Sequence, residues 1–151
     1  MTVGVLRYGL TASTVLLAHV AMADCWQMAG GRHGIEVELL QAIATVESNQ
    51  RADAVHINDD GSRDLGMMQI NSMHLPRLAR AGITADRLLD DPCLSIDVGA
   101  EILAGFVARY GYNWTAVGAY NAGVSSKREA ARSRYARRVW REYRRLLDQA
   151  G

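Results

Sequence analysis

The sequence has few of the residues and motifs that mark specialised chains. It has two prolines, two cysteines, no internal repeat and no low-complexity segment in 151 residues, a length typical of one domain with one core. His33, His56 and His74 have no metal-ligand spacing, and neither His-Glu-x-x-His nor Gly-x-Ser-x-Gly occurs. These absences exclude the signatures of zinc peptidases and of serine hydrolases. We expect no metal and no other cofactor.

The chain also lacks an excess of charge of one sign, because its formal net charge is +1. The balance conceals an asymmetry: residues 24–109 contain 13 acidic and 7 basic side chains, whereas residues 110–151 contain 3 acidic and 9 basic ones. A neutral chain with a basic tail argues against a nucleic-acid partner and suits an enzyme acting on an uncharged or mildly anionic polymer. The basic stretch 127–145 is most simply a solvated helix face; the alternative is contact with anionic envelope polymers or a partner.

Only one long apolar run is present, at residues 8–20, and it is shorter than the roughly 20 residues that a membrane-spanning helix needs. Arg7 precedes this run, and Ala21-Met22-Ala23 follows it with the small-x-small pattern of a signal peptidase site. We therefore predict that residues 1–23 are a signal peptide and that residues 24–151 form the mature domain, exported to the periplasm without stable membrane insertion. The alternative is an uncleaved membrane anchor.

Both cysteines, Cys25 and Cys93, belong to the predicted mature domain. An even number of cysteines in an exported protein predicts a disulfide, because the compartment is oxidising. The alternative is a pair of buried free thiols. A Cys25–Cys93 bridge would link the start of the domain to its middle.

Apolar residues in the predicted domain recur mostly every three or four positions, which predicts helices. The amphipathic stripes cover residues 35–46, 96–110, 114–120 and 135–146, with Gly111 and Gly123 as stop signals. The helical period fails between residues 49 and 72, where Asn58-Asp59-Asp60-Gly61 is a turn cluster between two apolar segments. We expect a mainly α fold with a small β-hairpin region.

Glu47 is the most informative single residue. It ends the first apolar stripe and shares a helix face with Leu40. Burial beside apolar residues disfavours the charged carboxylate and raises its pKa, which a general acid near neutral pH requires. The alternative is a solvated carboxylate in the last turn of a helix.

Four segments occur in an order that resembles the soluble lytic transglycosylase (SLT) domain family. They are Glu47-Ser48, residues 66–71 (Gly-Met-Met-Gln-Ile-Asn), residues 119–123 (Ala-Tyr-Asn-Ala-Gly), and Tyr135 with Val139. The resemblance covers residues 25–140 and implies a lysozyme-like fold with a saccharide groove. Cys25-Trp26 and residues 91–93 (Asp-Pro-Cys) are similar to a subset of small stand-alone enzymes that accompany type III and type IV secretion or conjugation systems.

The resemblance implies that Glu47 protonates the glycosidic oxygen between N-acetylmuramic acid (MurNAc) and N-acetylglucosamine (GlcNAc) in peptidoglycan. The carboxylate would then take the proton from the muramyl C6 hydroxyl, leaving a 1,6-anhydro end. Matching of positions implies that substrate contacts come from Ser48, Gln69, Tyr120 and Asn121, and that Tyr135 hydrogen-bonds near Glu47. For three of these, the alternatives are backbone hydrogen bonding by Gln69, core packing by Tyr120 and helix capping by Asn121.

Asp64 departs from the wider family pattern, which often has a small residue two positions before the glycine of the second segment. A second carboxylate facing the first is what lysozyme-like hydrolysis uses, so we expect a catalytic role for Asp64. The alternative is an aspartate that satisfies a turn. Two other functions stay open: a muramidase that uses water and Asp64, and a non-catalytic module that binds glycan or a secretion component.

Overall fold

A computed structural model describes residues 11–150, with their side chains from residue 22 onward. Residues 1–10 of the predicted signal peptide lie outside the described part. Helix α1 (Thr11–His33) continues across the predicted cleavage point between Ala23 and Asp24, so cleavage there stays a prediction. Within residues 11–150 no helix is both long and apolar enough to cross a membrane.

Helices dominate the described chain, as the apolar periodicity predicts. After α1 they are α2 (Val37–Ser48), α3 (Leu75–Leu78), α4 (Ala85–Asp90), α5 (Pro92–Tyr110), α6 (Trp114–Ala122) and α7 (Glu129–Ala150), with short 3₁₀ turns at Ser72–His74, Ala79–Ala81 and Ser126–Arg128. The last three predicted stripes lie in α5, α6 and α7. The first begins earlier than its helix, because Ile35 is a buried residue of the loop that precedes α2.

The predicted hairpin is present and has a third strand. Strands β1 (Val55–Ile57), β2 (Arg63–Leu65) and β3 (Ile70–Asn71) form an antiparallel sheet in that order. The β1–β2 turn closes through a bond from Asn58 N to Ser62 O at 2.8 Å. In the register of the sheet, His56 and Asn71 are the neighbours of Asp64 on either side.

The core lies where α2, the sheet and the long C-terminal helices meet. Helix α2 packs on α7, α5 on both α1 and α6, and α6 on α7. The largest fully buried apolar side chains come from α2, residues 65–70 of the sheet region, α4, α5 and α7: Leu40, Ile43, Leu65, Met68, Ile70, Leu88, Ile96, Val98, Leu103 and Val139. Each contributes on the order of 1.5–3 kcal/mol by leaving water, so the core fixes the end of α2 against the sheet and α7.

A disulfide joins Cys25 in α1 to Cys93 at the start of α5, with 5.2 Å between the Cα atoms. The predicted pairing is therefore confirmed. At the same helix start, Pro92 occupies the first turn and the Asp91 side chain accepts a bond from Leu94 N at 3.0 Å. Proline needs no partner for its missing N–H, and the aspartate caps a free one, so this segment begins a helix efficiently.

Gly66 determines the path of the chain between β2 and β3. Its φ of +73° lies in the left-handed region, and a Cβ at this position would lie 2.4 Å from Leu88 O. Only glycine meets both conditions without strain. The close approach fixes residues 66–69 against α4 and α5, and this turn forms part of the wall beside Glu47.

Candidate active site

Glu47 lies in the last turn of α2 and faces a polar pocket of about 370 Å³. Helix α2 ends at Asn49, which adopts the left-handed conformation with φ 53°. The pocket draws residues from α2, the sheet, α6 and α7: Val46, Glu47, Arg51, Ala54, Val55, His56, Asn58, Asp64, Gln69, Asn121 and Arg138. Segments that are far apart in sequence thus converge around one carboxyl group.

Burial raises the pKa of Glu47 from its ordinary value of 4.5 to about 7. That value includes a smaller rise caused by the negative charge of Asp64, and it is limited by the hydrogen bond from Tyr135, the positive charge of Arg138 and the nearby Asn121 amide, which lower the pKa. Desolvation is the largest effect, because the carboxylate loses water that its neighbours replace only in part. The carboxyl group therefore holds a proton close to neutral pH, as the sequence predicts.

The Tyr135 hydroxyl donates a hydrogen bond to Glu47 Oε1 at 2.6 Å. Tyr135 is buried in α7, and burial together with the charge of Glu47 raises its own pKa well above the usual range. The phenol therefore stays protonated and remains a donor. The predicted contact between Tyr135 and Glu47 is present, and it fixes the orientation of the carboxyl group.

Asp64 lies in the same pocket and is held by two asparagine side chains. Asn71 Nδ2 donates to Asp64 Oδ1 at 2.8 Å, and Asn58 Nδ2 donates to Oδ2 at 3.0 Å. Both amides also donate to Ser62 Oγ at 3.1 Å. The carboxylate therefore accepts hydrogen bonds that stabilise the hairpin, as expected of an aspartate in a turn. It also lines the pocket beside Glu47, as expected of a catalytic residue.

Two of the residues predicted to contact substrate, Ser48 and Tyr120, hold the turn of residues 66–69. Ser48 is buried, and its hydroxyl donates to Met67 O at 2.7 Å and accepts from Arg51 N at 3.1 Å. The Tyr120 hydroxyl donates to Met68 O at 2.8 Å. These bonds give Ser48 and Tyr120 a structural role, and their contacts with sugar stay a prediction.

Gln69 and Asn121 both line the pocket. Gln69 has a φ of 49°, and its Nε2 donates to Ala54 O at 3.1 Å and to Gly66 O at 2.8 Å. The Gln69 Nε2 group therefore bonds the backbone, which is the alternative role for this residue. Among the described residues, no donor bonds its Oε1, which leaves an acceptor for a ligand. Asn121 is exposed at the end of α6 and lies close enough to Glu47 to lower the pKa of its carboxyl group.

Sequence reasoning misses two arginines of the pocket. Arg138 Nη2 donates to Val46 O at 3.3 Å, and Arg51 Nε donates to Ser48 O at 3.3 Å. Arg138 lies three residues after Tyr135 on a basic helix, so the two side chains lie on the same face of that helix. That spacing is the signal that could have separated it from its solvated neighbours.

A larger cavity of about 560 Å³ lies elsewhere, between the start of α6 and α7. Its lining is mainly apolar and includes Trp114 and Trp140, with Glu129 as its one carboxyl group. Among residues 11–150, no group of three or more metal-binding side chains occurs. The Glu47 pocket, with two carboxyl groups and a proton held near neutral pH, has the arrangement suited to acid/base chemistry.

Comparisons with known proteins agree with the resemblance to the SLT domain family. Residues 24–142 match the Transglycosylase SLT domain family. The chain is 52% identical over 132 residues to invasion protein IagB of Salmonella typhimurium, covering 87% of this chain and 82% of the relative. It is 45% identical over 134 residues to protein IpgF of Shigella flexneri, covering 89% and 88%. A peptidoglycan-binding-like protein of Escherichia coli O157:H7 is 40% identical over 144 residues, covering 89% and 86%.

Proposed function

Because the chain belongs to the transglycosylase SLT domain family, whose fold is lysozyme-like, we propose that it is a periplasmic lytic transglycosylase that cuts the glycan strands of peptidoglycan. The bond cleaved is the β-1,4 linkage from MurNAc to GlcNAc, and the product carries a 1,6-anhydro-MurNAc end. The main support for the proposal is the Glu47 carboxyl group. Its pKa is raised to about 7, and the Tyr135 hydroxyl donates a hydrogen bond to it.

In the first step, Glu47 donates its proton to the glycosidic oxygen. The bond from C1 of MurNAc to that oxygen breaks, and GlcNAc leaves as an alcohol. A group with a pKa near the working pH serves well here, since it is protonated in much of the enzyme yet gives up its proton readily. The Tyr135 hydrogen bond stabilises the carboxylate that results.

In the second step, the C6 hydroxyl of the same MurNAc attacks C1 and closes the anhydro ring. Its proton passes to the Glu47 carboxylate, which restores the starting state. No water is consumed, and the products together have the atoms of the substrate. One carboxyl group with a raised pKa is sufficient for both proton transfers.

Asp64 supports hydrolysis as a second candidate reaction. Its carboxylate lines the same pocket, and its charge already raises the pKa of Glu47. A fixed carboxylate opposite the acid can stabilise positive charge at C1 or orient a water molecule. The same arrangement is compatible with the anhydro reaction, in which Asp64 would stabilise the charge at C1 alone.

We further propose that the enzyme opens the cell wall locally for a secretion or conjugation apparatus. Support comes from the relative named an invasion protein, which is 52% identical to this chain. Location in the periplasm rests on the predicted signal peptide and on the disulfide between Cys25 and Cys93, a bond typical of oxidising compartments. A non-catalytic binding module is disfavoured, because binding alone does not require a desolvated acid at Glu47.

Mass spectrometry of muropeptides after digestion of purified peptidoglycan tests the proposal. New 1,6-anhydro ends are expected. New reducing MurNAc ends would instead support the muramidase, and an unchanged muropeptide profile would support the non-catalytic module. Digestion in water labelled with oxygen-18 separates the first two reactions independently, since only hydrolysis incorporates the label.

A further inference from the structure

Two arginines bind the end of the helix that carries Glu47. Arg138 donates to the carbonyl of Val46, and Arg51 donates to the carbonyl of Ser48. These carbonyls belong to the residues on either side of Glu47 in the sequence. Each bond helps to hold a long side chain at the pocket, because a flexible arginine would otherwise sample many rotamers.

Most of the hydrogen-bonding capacity of these arginines remains available. A guanidinium group has five N–H donors, and each of the two uses one for its backbone carbonyl. Among the described residues, neither Arg51 nor Arg138 forms a salt bridge, although both side chains line the pocket. The planar donor groups that remain match the geometry of a carboxylate, which arginine binds through two parallel bonds.

The charges in the pocket favour an anionic ligand at this position. Below its pKa of about 7, Glu47 is mostly protonated and neutral, and Asp64 is the other carboxyl group in a pocket lined by two arginines. Both oxygens of Asp64 already accept bonds from Asn58 and Asn71. An incoming carboxylate would therefore meet unpaired guanidinium groups.

We propose that Arg51 and Arg138 form a carboxylate-binding pair beside Glu47 that selects glycan bearing the carboxylates of substituted muramic acid. The inference rests on the proposed function and deepens it. The carboxylate has two chemical sources in peptidoglycan: the free lactyl group of MurNAc, and the acidic residues of the stem peptide attached to that group. GlcNAc has no carboxylate, so the pair would also place MurNAc rather than GlcNAc next to the acid.

The test compares three soluble glycan preparations. The first has strands with stem peptides, and the second has amidase-treated strands with free lactyl carboxylates. The third is the neutral substrate, made by coupling the lactyl carboxylates of the second to methylamine. For the wild-type protein we expect a KM about 10-fold lower for at least one carboxylate-bearing substrate than for the neutral one, an effect that high salt should weaken. A lower KM for both carboxylate-bearing substrates identifies the lactyl group as one source of the bound carboxylate. A lower KM for the strands with stem peptides alone identifies the stem peptide as the source.

The double variant Arg51→Gln/Arg138→Gln should lose this preference, and its KM for all three substrates should lie near the wild-type value for the neutral substrate. Arg137→Gln is the matched control, because it removes the same charge from α7 at a residue that lines the other cavity. It should retain the wild-type preference. Each single variant should show an intermediate loss, which covers the case in which the double variant does not fold.

A purely structural role for the arginines predicts a different outcome. The variants would melt at a lower temperature, because the last carbonyls of α2 lose their donors, while the ratio of KM values between substrates would stay unchanged. That result, or a wild-type protein without any preference, would overturn the proposal. A wild-type protein that cuts none of the three glycans would count against the proposed function alone. In that case, equilibrium binding of the glycans to Glu47→Gln, with and without the arginine substitutions, still tests the carboxylate-binding pair.

Discussion

The hydroxyl of Tyr135 donates a hydrogen bond to Glu47 Oε1 at 2.6 Å, although 88 residues separate the two in the sequence. The bond connects α7 to the end of α2 and lowers the pKa that burial raises. Tyr135 is therefore a positioning residue: it orients the carboxyl group and limits how far its pKa rises.

Tyr135→Phe should raise the pKa of Glu47 above about 7, because the variant loses a donor to the charged form. We expect the maximal cleavage rate to fall about 10-fold, as expected for an acid/base group that is misplaced or mismatched in pKa. The basic limb of the pH–rate profile should move to higher pH. Tyr143→Phe is the matched control, since Tyr143 donates to Glu36 outside the pocket. An unshifted basic limb in Tyr135→Phe would contradict the positioning role.

Stability should fall as pH rises from about 4.5 to about 7. Glu47 ionises near 4.5 in the unfolded chain and near 7 in the folded protein, so over this range the folded state binds more protons than the unfolded state. The loss should amount to about 1–3 kcal/mol in the free energy of unfolding. Glu47→Gln should lack this part of the pH dependence, and denaturant unfolding at pH 4.5 and pH 8 checks it. An identical change in both proteins would mean that Glu47 is not the group responsible.

Asp64→Asn should lower turnover about 10- to 1,000-fold if the charge of Asp64 acts in catalysis. The variant should also lose about 1 kcal/mol of stability, because an amide nitrogen would face the donors Asn58 or Asn71. Ser62→Ala separates the two effects, since it removes the other acceptor of the same two amides and leaves the charge in place. Cleavage rate and melting temperature are measured on the same samples. An Asp64→Asn protein that melts earlier but cuts at the wild-type rate would falsify the second-carboxylate role.

Periplasmic material should contain a protein that begins at Asp24 and has one Cys25–Cys93 disulfide. Intact mass before and after reduction and alkylation measures both features. Reduction should destabilise the fold by about 4 kcal/mol on the chain-entropy model, because the bridged cysteines are 68 positions apart. Two thiols that react without reduction would count against the bridge, and a mass that includes residues 1–23 would count against cleavage.

The long helices could be predicted from the sequence because their apolar stripes extend over several turns. Helix α5 ends at Tyr110, directly before the predicted stop at Gly111, and α6 ends at Ala122, directly before Gly123. Helix α4 (Ala85–Asp90) is too short for the helical period to separate it from a loop. The third strand, Ile70–Asn71, has two residues, too few for alternation to indicate a strand.

The sequence predicts only part of the candidate site. The sequence places Glu47 at the end of an apolar stripe, and the resemblance to the SLT family implies the contact with Tyr135 that the structure has. The bonds of Ser48 to Met67 O and of Tyr120 to Met68 O could not be predicted, because a hydroxyl can bond any nearby carbonyl and the choice depends on tertiary packing.

Arg138 was missed for a related reason. The sequence of α7 contains arginine on several faces, and composition does not say which of them points toward the end of α2. Its spacing of three residues from Tyr135 is a weak signal, and the packing of α7 on α2 shows that this side chain reaches the pocket.

Cleavage of purified peptidoglycan by Glu47→Gln tests the central claim most directly. The amide is isosteric with the protonated carboxyl group and can still accept the hydrogen bond from Tyr135, but it cannot donate and then recover a proton. The variant should fold normally by circular dichroism and melting temperature, and it should release almost no anhydro-muropeptide under conditions in which the wild-type protein releases it. A folded Glu47→Gln protein with substantial residual turnover would contradict the assignment of Glu47 as the single acid/base.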